Sequence, residues 1–254
     1  AEDSAVVAEM AEDGHRVESN TLTGSKNLEK ESKEELISDF IRTNTILKEL
    51  TKRAPELLMC NGTEYTGELL EAASLSGYTA VVTGGNYLSY QSFQSYEQVQ
   101  AYVNSLNPGS IITIKLNGPL DGYEYAKEEN DEKQAIDKQP EDGTKEEDGS
   151  VLSEKEQLML IRVVGWLLQA VNEAGRTTVF TADLADYADE DFIKDFSSYR
   201  EMNQGKLAEV YTRITTDQGM LSLSFRGIGS TESLNQILEF LKEKDCRATF
   251  FVTS

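Results

Sequence analysis

Residues 220–253 read MLSLSFRGIGSTESLNQILEFLKEKDCRATFFVT. Met220–Phe225 (MLSLSF) has strand character. Leu234, Ile237, Leu238 and Leu241 recur at i, i+3, i+4 and i+7 of a helix, and Ala248–Thr253 (ATFFVT) closes as a second strand. Strand, helix, strand is the unit from which parallel sheets are wound, because parallel neighbours need a crossover long enough to hold a helix.

The same alternation runs through the rest of the chain. A helix at 4–13 is expected, capped by Ser4 and stopped by Gly14, with a strand at His15–Ser19 after it. Ser32 and Glu35 form a capping box ahead of a stripe of Leu36, Phe40, Leu47 and Leu50, and Leu57–Cys60 follows as a strand. Thr66 opens a helix with Leu69, Leu70 and Ala73 inward, Gly77 stops it, and Tyr78–Thr83 (YTAVVT) reads as a buried parallel strand. Ser95 and Gln98 read as another box. The apolar face behind it is Val99, Tyr102, Val103 and Leu106, and Ser110–Leu116 (SIITIKL) is the next strand. Ser153 and Glu156 box a long helix with Leu158, Ile161, Val164, Leu168 and Val171 on one side, ahead of the strand Thr177–Ala182. Seven strands alternating with six helices predict an α/β fold with a parallel sheet, either open and doubly wound or closed as a barrel. The chain ends on a strand and begins on a helix, so its order reads as a cyclic one opened at an unusual place.

Two stretches break the rhythm. Asp121–Gly149 holds twelve acids, four bases and few apolar side chains, the composition of a solvated, protease-sensitive insertion outside the core. A second, acidic connector begins at Asp183–Glu201 and fills 185–213. The whole chain, 254 residues at 39% hydrophobic and 27% charged, suits one barrel-sized globular domain. Its net charge of −21 repels phosphate backbones and anionic lipid, so nucleic acid is not an expected partner. No apolar run approaches a membrane span, and residues 1–30 lack a basic start and an apolar signal core, so the sequence reads as a soluble or mature chain. Cys60 and Cys246 make no disulfide framework or C-x-x-C pair, and they read as small buried hydrophobes. With His15 the one imidazole, a His-rich zinc site is excluded.

Two blocks of the chain resemble the polysaccharide deacetylases, the NodB-homology group also called carbohydrate esterase family four. Residues 214–254 resemble the family's opening, a strand ending in T-F-D-D-G, a helix, and a strand ending in A-T-F-F-V. Residues 4–21 (SAVVAEMAEDGHRVESNT) resemble its helix and E-x-G-H-E-I-x-N-H-[ST] stretch, and 66–82 (TGELLEAASLSGYTAVV) and 106–118 (LNPGSIITIKLNG) resemble later units. The resemblance implies a distorted (β/α)7-type barrel. Residues 1–118 and 153–184 supply the later units and 214–254 the first ones. Either the domain is circularly permuted, or the chain spans the end of one copy and the start of another. The permuted reading is preferred because the two blocks sum to one barrel with no unit duplicated.

In active relatives the implied chemistry is removal of an N-acetyl group from a sugar polymer. A divalent metal held by Asp-His-His polarises the amide and activates water, an Asp is the base and a His the acid. This sequence departs at every motif. T-F-D-D-G stands as Ser224-Phe225-Arg226-Gly227-Ile228, so Arg226 occupies the base position and Gly227 that of the metal Asp. Asn20 and Gly24 flank Thr21-Leu22-Thr23 where two ligand histidines are expected, and His15 is not a family ligand. The R-x-P-[YF] region reads LMCNGT at 58–63, D-x-x-D-W reads Thr83-Gly84-Gly85-Asn86-Tyr87, and Lys115 stands for the acid His. An arginine stays protonated and cannot act as a base near neutral pH. A cation at ~4 Å from another charge at an effective dielectric of about 20 is worth roughly 4 kcal/mol, enough to oppose a weakly held divalent ion.

The function expected is therefore a noncatalytic deacetylase-like module that binds or supports cell-wall or other polysaccharide, needs no metal cofactor, and sits outside the bacterial cell or in its envelope. The partner expected is acetylated polysaccharide or peptidoglycan. The alternative is a divergent carbohydrate N-deacetylase, active itself or through another domain of a longer protein. Arg226, Lys115, Asn20, Asn86 and Tyr87 are the candidate binding residues. Arg226 and Lys115 would hold an anion or acidic sugar, or else pair with Glu18 or another acid. Tyr65, Tyr87, Tyr90, Phe93 and Tyr96 would stack sugar rings, or else pack as rim aromatics.

Overall fold

Strand order is fixed by which segments are buried on both faces. Leu221–Arg226 and Ala248–Val252 are buried at every position, and such segments fit only the middle of a parallel sheet covered on both sides. The computed structural model describes residues 2–83, 86–117, 152–184, 186 and 207–253. Within them the elements run α1 (Glu2–Glu12), β1 (Arg16–Ser19), α2 (Lys33–Thr51), β2 (Leu57–Leu58), α3 (Gly67–Leu75), β3 (Ala80–Val82), β4 (Asn86–Tyr87) and α4 (Tyr96–Ser105). They continue with β5 (Ser110–Lys115), α5 (Glu154–Glu173), β6 (Thr177–Val179), α6 (Thr181–Leu184), β7 (Glu209–Tyr211), β8 (Met220–Arg226), α7 (Thr231–Glu243) and β9 (Ala248–Val252).

All strand pairs are parallel, and the sheet runs β4-β5-β8-β9-β1-β2-β3-β7, with β6 joined to β8 off this path. The sheet curls as a half-barrel, so the α/β fold is of the distorted (β/α)-barrel type expected. β8 is its axis. β5 lies along one side from Leu221 to Arg226, while the other side is shared, by β6 at Met220–Ser222 and by β9 at Leu223–Arg226. Met220–Phe225 thus lies beside the strand that ends at Val252, as the sequence led us to expect. Among the described residues an isolated antiparallel bridge, Ser110 to Arg213, joins the start of β5 to the chain just after the edge strand β7. No helix of the described residues is long and apolar enough to cross a membrane.

Period-two alternation sorts the strand side chains into two layers. Leu221, Leu223 and Phe225 of β8, Ile112 and Ile114 of β5 and Phe250 of β9 pack outward against α1, α4, α5 and α7, and the Phe225 and Phe250 rings stack at 5.0 Å. Leu58, Val81 and Cys60 pack outward against α2 and α3. Leu57, Met59, Ala80, Val82, Ile111 and Phe251 turn into the barrel. Cys60 and Cys246 are both buried, and burial pushes the Cys60 thiol up to about 12, so it is no thiolate at neutral pH.

Several local expectations need correction. α1 begins at Glu2, so Ser4 lies inside the helix and does not cap it. Ser95 makes no side-chain cap bond, and Gln98 instead accepts from the Gln94 N–H at 2.7 Å. Leu158 is 55% exposed, at the edge of the apolar stripe rather than on it. β4 and β7 are strands the periodicity did not show, the latter within the stretch read as a connector. The insertion 121–149, residues 187–206 of the connector, and Ala1 and Ser254 lie outside the described residues.

Candidate functional site

The outward residues of β8 and β5 leave Ser222, Ser224 and Arg226, and Thr113 and Lys115, facing the barrel interior. By the same count Thr249 and Phe251 of β9, and Arg16 and Glu18 of β1, face inward, and Asn20 continues that face beyond the strand. The lower interior is filled. The Thr181 hydroxyl meets Ser222 Oγ at 2.6 Å and Ser224 Oγ at 2.9 Å, and the Thr181 N–H donates to Thr249 Oγ1 at 3.0 Å. Arg16 and Arg247 lie over the Phe180 ring at 5.1 and 5.5 Å, and Arg16 reaches Asp183 at 3.4 Å, closing the N-terminal end of the strands. What remains open to chemistry is the C-terminal end, where barrel ligands sit.

Register partners place Lys115, Arg226, Phe251 and Glu18 in one row across β5, β8, β9 and β1. Adjacent strands lie about 4.8 Å apart, so the two cations are direct neighbours on one face. Arg226 is 4% and Lys115 8% exposed. Tyr87, at the end of β4, leans over them: Arg226 Nη1 donates to Tyr87 Oη at 3.3 Å, and the guanidinium carbon is 5.7 Å from the ring centroid. Asn20 is buried, its N–H donates to Val252 O at 2.8 Å, and its Oδ1 has no hydrogen-bond partner among the described residues. Thr113 Oγ1, one step below Lys115 on the same face, is likewise without one. Thr21 holds φ +65° and its hydroxyl accepts from the Gly24 N–H at 3.0 Å, while Asn61 Nδ2 donates to Gly24 O at 2.7 Å, so the turn opposite the cations is pinned at both ends.

Four of the five expected residues, Arg226, Lys115, Asn20 and Tyr87, therefore come to one end of the barrel. Asn86 does not. Its neighbour Tyr87 takes the inward side, and Asn86 lines a separate cleft of about 390 Å³ with Tyr102, Asn107, Ser110, Thr212 and Arg213, at the seam between the sheet edges. Of the aromatics, only Tyr87 is both at the mouth and exposed, at 37%. Tyr65 braces β2 to β3, accepting from the Cys60 N–H and donating to Val82 O. Tyr90 is buried, Phe93 packs edge-on against Tyr102, and Tyr96 donates to Glu173 at 2.6 Å.

Glu18 does not serve as the counter-ion for the cations. Its Oε2 accepts from the Glu56 and Leu57 N–H groups at 2.6 and 2.8 Å, on the side away from Arg226. Burial raises its carboxyl to about 8, the reverse of what a neighbouring cation would do. His15 packs edge-on against Phe250 at 5.6 Å, at the far end of β1 from the mouth, and burial lowers its pKa. The interior Ser222, Ser224 and Thr249 had a signal in the alternating S-L-S-F-R and A-T-F-F-V runs, once those strands are known to line a barrel.

A divalent metal does not fit these side chains. The positions that would ligate it offer two adjacent cations, one carboxamide and two glycines, and among the described residues no three His, Cys, Asp or Glu side chains stand together as a metal set. Gly227 also holds φ +77°, a backbone conformation that side-chain-bearing residues rarely adopt, and a Cβ there would lie 2.6 Å from the Asn117 carboxamide, which would have to move aside.

Residues 1–81 match the family model for polysaccharide deacetylase. The match spans α1 to β3, including the Asn20–Gly24 turn and the 58–63 stretch, and stops short of β5 and β8. A search of curated proteins finds no match to the chain.

Proposed function

With residues 1–81 a segment of the polysaccharide deacetylase family, we propose that the chain is a noncatalytic member, a module that binds or supports acetylated cell-wall or other polysaccharide at the C-terminal end of its barrel. The observation that carries this reading is the row Lys115–Arg226. Two buried basic side chains stand side by side where the resemblance puts an acid and a base, and the one at the base position is an arginine. Arginine does not accept a proton near neutral pH, and a divalent ion beside two cations is repelled. The module works without a resident metal. A place outside the cell or in its envelope follows from where polysaccharide of this kind is found.

Acetyl release from N-acetylglucosamine oligomers and peptidoglycan fragments, followed by mass spectrometry with and without 1 mM zinc, tests the reading. No release above the rate of a denatured control is expected. Release that disappears on Arg226→Ala would establish the divergent deacetylase instead.

A further inference from the structure

The edge strands β4 and β7 do not pair with each other; among the described residues each has a ladder on one side alone, to β5 and to β3. The cleft of about 390 Å³ lies at this seam, with Asn86, Tyr102, Leu106, Asn107, Thr212 and Arg213 in its lining. Backbone joins its walls: the Ile214 N–H donates to Gly109 O at 3.0 Å and the Gly109 N–H to Met220 O at 2.7 Å, beside the Ser110–Arg213 bridge. A cleft held in this way is formed before a ligand arrives, so little ordering opposes binding.

Its lining separates into polar groups that are spent and groups that are not. The Ser105 and Ser110 hydroxyls donate to Tyr102 O and Asn107 O, both at 2.7 Å, and Thr212 Oγ1 meets Thr83 Oγ1 at 2.6 Å. The Asn86 and Asn107 carboxamides and the Arg213 guanidinium make no hydrogen bond or ion pair among the described residues. The Tyr102 hydroxyl is buried and also has no partner among them. Each carboxamide offers an acceptor and two donors side by side, which suits two adjacent hydroxyls, and a guanidinium adds donors in one plane. Leu106 is the one aliphatic side chain of the lining, too little to hold an apolar molecule. No Asp or Glu lines the cleft, and its one cation is exposed, where salt screens it and charge alone selects weakly.

From this we infer that the seam cleft is a second ligand site, for a neutral saccharide whose vicinal hydroxyls bind the Asn86 and Asn107 carboxamides and the Arg213 guanidinium, with a further hydroxyl on Tyr102. The site shares no residue with the mouth and does not depend on what the mouth holds. Donors and acceptors alternate around the cleft, as hydroxyls require, whereas an anion would meet two carboxamide oxygens that repel it and a single cation. A saccharide seated there lies on the flank of the barrel, across the opening between its two edges.

The test is titration of the whole chain, labelled with 15N-asparagine, with cellotetraose and with an N-acetylglucosamine tetramer, followed through the side-chain amide signals. At least one tetramer should shift the Asn86 and Asn107 carboxamide signals saturably, and Asn107→Ala and Arg213→Gln should each weaken that binding about fivefold, the loss of one hydrogen bond. Backbone signals identify a variant that fails to fold, and the Asn86 and Asn107 shifts of the unmodified protein then decide alone. Absence of a saturable shift at these two residues with either tetramer overturns the inference. So does displacement of the tetramer by an equal concentration of inorganic phosphate, which would mark an anion site, or the same shifts from glycerol at equal hydroxyl concentration, which would mark unspecific solvation. Saturable shifts at Asn20 with Asn86 and Asn107 unmoved put the saccharide at the mouth, which overturns the inference while the binding-module reading stands. Failure of that reading is seen separately, as acetyl release.

Discussion

An aspartate at position 227 would have to hold φ near +77° with its Cβ 2.6 Å from the Asn117 side chain. Both conditions disfavour it, so Gly227→Asp is expected to cost about 2–4 kcal/mol in urea denaturation rather than to restore a metal ligand. Gly14 holds a similar φ of +86° with nothing within 4 Å, and Gly14→Ala should cost only about 1 kcal/mol. Equal costs for the two would remove the steric part of this argument. A motif register can assign Gly227 to a ligand position, but the left-handed backbone and the Asn117 contact come from the strand end and its neighbour, which no residue pattern displays. Glu18 was legible as an acid and not as a buried one. With its carboxyl near 8 folded against an ordinary 4.5, the folded state keeps a proton that the unfolded chain gives up. Stability therefore falls as pH rises from about 4.5 to 8, by up to about 1.4 kcal/mol per pH unit. Glu18→Gln keeps an acceptor for the Glu56 and Leu57 N–H groups and removes that slope. Its melting temperature should exceed the unmodified protein's at pH 8, and the gap should close toward pH 5; a gap independent of pH would show that Glu18 ionises normally.

At the level of elements, the helix starts separate real caps from apparent ones. Ser32 and Ser153 accept from the Glu35 and Glu156 N–H groups and donate their own N–H groups to those carboxylates in return, closing both boxes as the S-x-x-E spacing predicted. Ser95 has a Gln at the right spacing and makes no such bond. Ser32→Ala and Ser153→Ala are each expected to cost about 1 kcal/mol by chemical denaturation, and Ser95→Ala less than about 0.5 kcal/mol. A cost at Ser95 equal to the others would mean that its cap forms in solution. Long elements such as α5 and β8 were readable because many residues repeat one period. β4 and β7, of two and three residues, are too short for a period and are strands only because β5 and β3 lend them a ladder. That is why Tyr87, on β4, could be named as an aromatic candidate while its place beside Arg226 depended on a pairing between segments far apart in sequence. It is also why Asn86, one residue away, faces a different cleft.

Across the whole molecule, the sheet joins what the chain separates. β9, the last strand, pairs with β1, the first, from Arg16–Thr249 to Ser19–Val252, and α1 lies between them as a crossover helix would, with Val6, Val7 and Met10 in the same core as Phe250 and Val252. The spatial run β8-β9-β1-β2-β3 is thus sequential if the end of the chain is read on into its beginning. The cyclic reading of the sequence rested on this same continuity, and it is the β9–β1 pair that adds Glu18, from near the start of the chain, to the row of Lys115, Arg226 and Phe251. We expect a relinked chain to fold: residue 254 joined to residue 1 through a short Gly/Ser linker, with new termini opened inside 121–149, where twelve acids and four bases leave little apolar surface to contribute to a core. Such a chain keeps every described strand pairing and helix contact, because the new junction spans only the few residues between Val252 and Glu2. Its far-UV circular dichroism should superpose on that of the original, and its urea transition should stay cooperative and within about 1–2 kcal/mol, the scale on which lengthening a closed loop alters chain entropy. An unfolded or insoluble product would show that the β9–β1 pair does not connect one continuous barrel, and that the two blocks fold as parts of separate domains.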